Sequence, residues 1–492
     1  MALPDLIEIV PLQKPVRAEI TVPGSKSITN RALILAALAD GQTTLQGALW
    51  SEDTQVMVEA LRRLGFELHV EPDREETCNR TIKVKGSNGK IPNAGRADEP
   101  LEIFVGNAGT AARFLAALAC LGHGAYRLHG VARMHERPQA GLFQALRELG
   151  YRIDSPNDRL PAIIHGAGPR AGRCSVSIEE SSQFASALLL CAEVGRWRIS
   201  THGENVEESA YLVMTKKMLE VFPKRGGTFD IEADASSGSY FLAAGPFESA
   251  KSNRVNVAGE KEHGFIFQTE YRPTVRVLHW PKSTWQIDER FLEWSSLFVE
   301  KTESLQSMFE SAQQTAVASF EEAGLPLDND LGDALLGLKG ASEKWQSAIS
   351  RQRDLGDSIM MLIVLAPTAE DPWRFTDLGR LRVQECERVV ALRQELTRCG
   401  AKVVEEGDTL TVFPSELHGA EIETYNDHRM AMCFAILGLK VPGIKIKNPA
   451  CVKKTFPNFF QKLAAQPPHG LGAIILDAQK RRPLGVEELF AD

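Results

Sequence analysis

The stretch PGSKSITNRALILAALADG, residues 23–41, decides the fold, because it joins a small polar loop directly to an apolar helix. Gly, Ser, Asn and Asp before a helix leave its first backbone N–H groups free, and the helix dipole makes that end positive. Such loops precede apolar runs six times: PGSKS (23–27), GNAGT (106–110), ESSQ (180–183), DASSGS (234–239), LGDS (355–358) and YNDH (425–428). The repetition predicts six helix ends suited to binding anions.

Glycines mark the ends of three further helices. The phrases LRRLG, LRELG and LTRCG close at Gly65, Gly150 and Gly400, and alternating apolar residues follow each one. Glycine tolerates the left-handed conformation that stops a helix, and the alternation is typical of a strand. The repeated unit is therefore predicted to alternate helices with strands, in the α/β class.

The six units divide evenly along the chain. Three units fall in each half, which predicts two domains: 24–255, and 1–23 together with 256–492. An insertion at about 258–350 interrupts the fourth unit. Its periodicity predicts a largely helical segment, with helices over 288–323 and 334–349, as a surface decoration or a contact between copies. We otherwise expect a monomer.

Composition excludes several classes of partner. The 492 residues carry a formal net charge of −8 at pH 7, which argues against nucleic acid. The eight cysteines include no C-x-x-C pair and suit reduced thiols. No apolar run is long enough to cross a bilayer, and the first residues lack the basic region of a signal peptide. We expect a cytoplasmic protein without a membrane partner.

Basic residues recur at or near the helix openings: Lys26, Arg31, Arg113, Arg133, Arg137, Arg388, Arg429 and Lys454. Most surface Lys and Arg side chains are solvated, but this grouping predicts a desolvated cleft for two small polyanions. The chain has no H-E-x-x-H, P-loop or G-x-G-x-x-G motif, so we expect neither a metal nor a cofactor.

Several blocks together resemble the 5-enolpyruvylshikimate-3-phosphate synthase family: residues 23–41, GNAGTAARFLAALACLG (106–122), MHERP (134–138), SSQFASALLL (181–190), DASSGSYFLAA (234–244), YNDHRMAMCF (425–434) and KTFPNFF (454–460). The resemblance implies two inside-out α/β-prism domains, each of three βαβαββ repeats, with substrates in the cleft between them. It also implies transfer of the enolpyruvyl group of phosphoenolpyruvate to the 5-hydroxyl of shikimate-3-phosphate, with release of phosphate.

The same resemblance implies the site residues. Catalysis falls to Lys26, Asp357 and Glu385, with Asp357 as the base and Glu385 as its acidic partner near the enol carbon. The implied contacts of shikimate-3-phosphate are Lys26, Ser27, Arg31, Ser181, Ser182, Gln183, Ser209 and Tyr211. Those of phosphoenolpyruvate are Gly109, Arg137, Arg388, Arg429 and Lys454, and Gln384 and His428 lie in the same blocks as substrate-binding residues.

Three positions depart from the family pattern. Gln384 stands where the family has a substrate-binding Lys, Arg380 where Asn is frequent, and Phe114 where Pro is common. If residues 380–384 are helical, Arg380 shares a face with Gln384 and restores the missing charge.

Two alternatives follow. The loss of a Lys at position 384 leaves open a catalytically silent paralogue that serves as a binding or assembly protein. A UDP-N-acetylglucosamine enolpyruvyl transferase fits less well, because Ser27 rather than Asn follows Lys26, and Cys120 lies in an apolar helical run rather than on a mobile loop.

Overall fold

The computed structural model of this chain describes residues 3–179, 181–203, 206–245, 247–258, 263–300 and 348–491. For 206–209, 247–258, 263–272 and 296–300 it describes the backbone alone. The α-helices are Lys26–Leu38, Glu52–Arg63, Gly109–Cys120, Ala132–Glu136, Ala140–Glu148, Ser182–Gly195, Val206–Val221, Ala235–Ala244, Phe291–Glu300, Ile359–Leu365, Arg388–Arg398, His428–Gly438 and Phe459–Ala464. Short 3-10 helices are Ile287–Arg290, Ala366–Thr368, Leu378–Val383, Pro449–Lys454 and Val486–Leu489.

The strands of the described ranges form seven sheets. One has five strands, in the order Glu421–Ile422, Ile444–Lys447, Leu6–Ile9, Ile475–Asp477 and Arg482–Pro483. Three have four strands: Gly227–Asp230, Gln42–Leu49, Asn79–Lys85, Glu67–Pro72; Leu101–Phe104, His123–His129, Ala162–Ala167, Arg152–Asp154; and Ile349–Ser350, Trp373–Thr376, Thr409–Val412, Val403–Glu406. Three have two strands: Gly172–Ser177 with Trp197–His202, Ala18–Ile20 with Val275–Val277, and Phe247–Ala258 with His263–Pro273.

The three four-stranded sheets share one pairing pattern. In each, the first two strands of the order run parallel, and every later pair is antiparallel. Three sheets that are far apart in sequence therefore share one pairing pattern. This agrees with the repeated unit predicted from the loops.

Six helices begin at the six predicted loops. We call them the cleft helices; they start at Lys26, Gly109, Ser182, Ala235, Ile359 and His428. In three of them the preceding side chain caps the helix: Ser181 accepts from the Gln183 N–H, Asp234 from Ser237, and Asp427 from Arg429. The predicted helix starts are confirmed.

The predicted helix ends are confirmed as well. Gly65, Gly150 and Gly400 have φ of +90°, +86° and +93°, the left-handed region that a side chain disfavours. A strand begins two or three residues after each of them, at Glu67, Arg152 and Val403.

Apolar side chains pack into two separate cores. One core is built from residues between Ile28 and Ile231, and the other from 3–22 and 240–491. The second core includes the cleft helix Ala235–Ala244, whose Phe241 ring lies 5.5 Å from that of Phe459. The division into domains remains a prediction, and this packing favours a crossing before residue 240 rather than at 255.

The predicted insertion is only partly described. Its first helix begins as expected, at Ile287–Arg290 and Phe291–Glu300, and residues 301–347, with most of the second predicted helix, lie outside the described residues. Two features are not helical. Residues 263–273 form a strand that pairs antiparallel with 247–258, just before the insertion, and Ile349 pairs with Phe375 in a parallel strand.

The physical reason for both differences is strand pairing. Val255 and Val257 alternate with Asn256, a period of two that favours a strand, and the aromatic and β-branched run 265–267 favours a second strand. Ile349 is fully buried at its sheet, so tertiary pairing overrides the local helical periodicity.

The close packing of Gly24 against Gly47 can be tested through its effect on the stability of the protein. A Cβ on Gly24 would overlap the Gly47 carbonyl oxygen and lie 3.1 Å from Ile231 Cγ2. We expect Gly24→Ala to destabilise the protein by about 2 kcal/mol through overpacking, seen as a lower urea midpoint. The control is Gly407→Ala, whose Cβ meets nothing within 4 Å and costs only its φ of +57°, about 1 kcal/mol. Equal midpoints for the two variants would contradict the packing argument.

Candidate active site

The N-terminal ends of all six cleft helices meet at one cleft between the two cores. Residues of the six openings line it: Ser25, Lys26, Ser27, Gly109, Thr110, Ser182, Gln183, Asp234, Ser236, Ser237, Asp357, His428 and Arg429. The walls also include Arg31, Arg137, Tyr211, Arg351, Arg380, Gln384, Glu385 and Arg388. Because each helix start is positive, the cleft favours anions even before its Lys and Arg side chains are counted.

Most of the predicted site residues are therefore brought together. Two others contact the lining residues: Ser181 through Arg380, and Lys454 through Glu385. Ser209 lies on the helix Val206–Val221, but its side chain is outside the described part of the structure.

Lys26 and Arg31 project from the first cleft helix. Lys26 Nζ lies 3.2 Å from Asp53 Oδ2. Arg31 is 2% exposed, donates from Nε to Thr215 Oγ1 at 2.7 Å, and places its guanidinium over the Phe114 ring at 5.3 Å. A guanidinium held on several sides keeps a fixed positive charge at the cleft wall.

Gly109 leaves room for two guanidinium groups. Arg137 Nη1 donates to the Asn107 carbonyl at 3.0 Å. A Cβ on Gly109 would lie 2.7 Å from Arg137 Nη2 and overlap Arg113. Burial lowers the pKa of the Arg137 guanidinium, and the Glu385 carboxylate offsets part of that shift.

Three guanidinium groups surround Asp357. Arg351 Nη2 lies 2.6 Å from Oδ1, while Arg429 Nε and Arg388 Nη1 lie 3.0 and 3.7 Å from Oδ2. Burial acts to raise the pKa of this carboxyl. The charges of Arg429, Arg351 and Arg388 outweigh it and hold the pKa well below its ordinary value. Asp357 is therefore ionised beside these three cations.

Glu385 occupies a second cationic corner. Lys454 Nζ lies 3.0 Å from Oε1 and Arg388 Nη2 2.8 Å from Oε2. Burial acts to raise the pKa of Glu385, but Lys454 and Arg388 bring it well below the ordinary value. Burial likewise acts to lower the pKa of Lys454, and Glu385 reverses this and raises it. Lys454 and Glu385 therefore form a buried ion pair.

Arg388 links the acids of the second half of the chain. It is 1% exposed and places Nε and Nη2 at 2.7 and 3.2 Å from the two oxygens of Asp427. Its Nη1 donates to Gln384 Oε1. Gln384 thus contributes a neutral acceptor on a cation, rather than the charge of the family's Lys.

Arg380 does not share a helical face with Gln384, so that assumption is wrong. Residues Leu378–Val383 form a 3-10 helix, which ends before Gln384 at φ −90° and ψ −137°. Arg380 Nη2 instead donates to Ser181 Oγ at 3.4 Å, across the cleft. The Arg380 guanidinium therefore still lies beside Ser181, a predicted phosphate ligand, although Arg380 and Gln384 do not share a helical face.

His428 begins the sixth cleft helix and is 1% exposed. Neither ring nitrogen has a hydrogen-bond partner among the described residues. Burial lowers the pKa of His428 well below its ordinary value, and the Arg429 charge lowers it further. The ring is neutral and has one donor and one acceptor to offer a ligand.

The predictions missed four cleft or near-cleft residues: Asp53, Asp288, Arg351 and Asp427. Asp427 lies in the predicted YNDH opening, where a capping role was the only signal. Asp53 and Arg351 gain their roles from contacts that form only in the folded chain. A single sequence does not show these contacts.

No group of three or more His, Cys, Asp and Glu side chains in the described ranges is arranged to hold a metal ion. Within the same ranges, no helix combines the length and apolar character that a membrane span requires.

Comparisons with known proteins all indicate the same family. The family model described as EPSP synthase (3-phosphoshikimate 1-carboxyvinyltransferase) matches residues 10–225 and 339–463. The protein named 3-phosphoshikimate 1-carboxyvinyltransferase of Opitutus terrae is 36% identical over 475 residues, covering 94% of this chain and 98% of its own. Its namesake from a Nostoc species is 34% identical, covering 93% and 98%.

Solved structures share the fold. An EPSP synthase of Acinetobacter baumannii matches with a TM-score of 0.60 at 18% identity, covering 96% of this chain and 99% of that chain. The enolpyruvyl transferase NikO of Streptomyces tendae matches with a TM-score of 0.55 at 14% identity, covering 96% and 99%. The predicted fold class is confirmed.

The corner at Glu385 yields a binding test that needs no turnover. Glu385 competes with any incoming anion for Lys454 and Arg388, so its neutralisation frees Lys454 and removes one of the acids that Arg388 contacts. We expect Glu385→Gln to bind inorganic phosphate at least several-fold more tightly than the parent at low salt, by calorimetry. The control Glu406→Gln removes the same charge from an exposed strand residue and leaves binding unchanged. Weaker phosphate binding by Glu385→Gln would contradict the competition.

Proposed function

The chain belongs to the EPSP synthase family, and on that premise we propose that it transfers the enolpyruvyl group of phosphoenolpyruvate to the 5-hydroxyl of shikimate-3-phosphate. The observation that carries the proposal is the meeting of six helix starts at one cation-rich cleft between two cores. Both substrates are small polyanions, and such a cleft offsets their mutual repulsion.

The first core offers the shikimate-3-phosphate side. We assign the phosphate to Ser181, Ser182 and Gln183, at the third cleft helix, and to Arg380 opposite them. The 3.4 Å contact between Arg380 and Ser181 Oγ supports a cation at this point. We assign the rest of the molecule to Ser27, Arg31, Ser209 and Tyr211, with Gln384 at the rim.

Phosphoenolpyruvate takes the space between the cores. We assign it to Lys26, Gly109, Arg137, Arg388, His428, Arg429 and Lys454. The missing Cβ of Gly109 supports this, because it lets the Arg137 guanidinium lie close against the start of the second cleft helix. Bidentate guanidinium groups suit the carboxylate and phosphate of this small molecule.

Asp357 is the proposed base. It takes the proton of the 5-hydroxyl while the hydroxyl oxygen bonds to the enol carbon, and the methylene carbon gains a proton. A proton then leaves the new methyl group, the C–O bond to phosphate breaks, and phosphate departs with the electron pair. Lys26 and Lys454 stabilise the charge that moves onto phosphate.

Substrate binding prepares the two acids for these roles. The substrate anions draw Arg388, Arg429 and Lys454 towards themselves. The pKa values of Asp357 and Glu385, which those cations hold down, then rise towards their ordinary range. Asp357 becomes a better base, and Glu385 can pass a proton between Lys454, 3.0 Å away, and the substrate methylene.

We also propose that the protein works in the cytoplasm, as a monomer. Its eight cysteines are all free thiols, which suits a reducing compartment. The partners are then the two substrate anions, without a metal, a cofactor, nucleic acid or a membrane.

An assay of phosphate release tests the function. We expect release to require both substrates, and Lys26→Met to lower the rate roughly 10²-fold or more, because a fixed cation at the reacting centre is lost. The control Lys217→Met removes an exposed Lys that pairs with Glu220 at 3.3 Å. No release by the parent with both substrates at millimolar concentration would favour the silent paralogue. Near-normal release by a folded Lys26→Met would contradict its role.

Gly109→Ala tests the phosphoenolpyruvate assignment. Its Cβ displaces the guanidinium groups of Arg137 and Arg113, so we expect a higher KM for phosphoenolpyruvate and an unchanged KM for shikimate-3-phosphate. Glyphosate, expected to compete with phosphoenolpyruvate, should inhibit this variant less than the parent. Inhibition of the parent that is non-competitive with phosphoenolpyruvate would contradict a shared site.

A further inference from the structure

We propose that Asp288 is a positioning residue for the reaction, because it fixes the loop that carries Asp357. The inference rests on the proposed function, since it takes Asp357 as the base. Asp288 lies in the 3-10 helix Ile287–Arg290, at the start of the first helix predicted in the insertion, and is 3% exposed.

One oxygen of Asp288 contacts both neighbours of Asp357. Oδ1 accepts from the Gly356 N–H at 2.7 Å, from the Ser358 N–H at 3.3 Å and from Ser358 Oγ at 2.6 Å. When the peptide groups on both sides of a residue are held by hydrogen bonds, the direction in which its side chain leaves the backbone is fixed. Bonds to a carboxylate are also about twice as strong as neutral ones.

The other oxygen ties this loop to a second cleft helix. Oδ2 accepts from the hydroxyl of Ser236, at the fourth opening. Two residues earlier, Gln286 accepts from the Ala235 N–H at 3.1 Å and donates to the Ala233 carbonyl at 2.9 Å. The segment 286–288 therefore joins the fourth opening to the fifth, although the two are far apart in sequence.

The side-chain partners of Asp357 cannot supply the same restraint during turnover. Arg388 and Arg429 are assigned to phosphoenolpyruvate, so their contacts with Asp357 weaken when the substrate binds. Arg351, on the opposite oxygen, then pulls the carboxylate from one side at 2.6 Å. The contacts of Asp288 lie behind the loop, do not involve the Asp357 carboxylate, and persist.

The 356–358 loop packs closely against residues 287 and 288. A Cβ on Gly356 would lie 2.8 Å from Ile287 Cγ2 and 3.1 Å from Asp288 Oδ1. A longer side chain at 288 must therefore push the 356–358 loop outwards. A shift of about 1 Å at a reacting group can cost about 10²-fold in rate.

The test separates kcat from KM in variants at position 288. We expect Asp288→Ala to lower kcat about 10²-fold per folded molecule, with both substrate KM values within about threefold of the parent. Asp288→Asn, whose carbonyl can still accept from the Gly356 N–H, should keep kcat within about tenfold. Asp288→Glu should lose at least tenfold, and it decides the matter if the Ala variant fails to fold.

The control is Asp354→Ala, in the same loop. Asp354 Oδ2 accepts from the Ser350 N–H at 2.8 Å, and its Oδ1 lies 3.9 Å from Arg290 Nη1, whereas the hydrogen bonds to Gly356 and Ser358 come from Asp288. This variant should lose stability and keep kcat per folded molecule. The proposal is overturned if Asp288→Ala or Asp288→Glu folds and keeps kcat within threefold, or if KM rises while kcat stays. Absence of turnover in the parent would instead reject the proposed function.

Discussion

The cleft depends on the contact between Arg388 and Asp427, two side chains that are 1% and 0% exposed. A desolvated charge costs several kcal/mol unless a partner and further hydrogen bonds compensate, and here each member supplies both. With its inner edge fixed on Asp427, the guanidinium presents its remaining N–H groups to Glu385 and Gln384. Asp427 also caps the sixth cleft helix. A single buried contact therefore fixes an acid, a cation and a helix end relative to one another.

Three other cations of the cleft pair with carboxylates in the same way. Lys26 contacts Asp53, Lys454 contacts Glu385, and Arg429 contacts Asp357. Each carboxylate partly neutralises a cation that we assign to a substrate. A substrate anion therefore competes with a carboxylate of the protein at each of these cations, and the carboxylates limit the cost of keeping the charges out of water.

Local signals decided how much could be predicted. A Gly or Ser before an apolar run, and a Gly after it, act within one turn of helix, so all six helix starts and three helix ends were read correctly. Arg351 and Asp53 were missed because their roles come from contacts that only the fold creates. The face shared by Arg380 and Gln384 was wrong for a related reason: it assumed α-helical spacing where the chain forms a 3-10 turn. The strands 247–258 and 263–273 were not predicted, because the first lies before the predicted insertion and the second was counted within a largely helical one.

The two cores differ in how much of the chain must exist before they can form. The first is built from one continuous stretch, between Ile28 and Ile231. The second needs Leu6–Ile9, which pairs with Ile444–Lys447 and Ile475–Asp477, nearly the whole chain away. During synthesis the first core can close while the ribosome is still at work, because its contacts are comparatively local. The strand Leu6–Ile9 is made long before these neighbours, and until they follow it has unpaired edges that a chaperone or another nascent chain can bind.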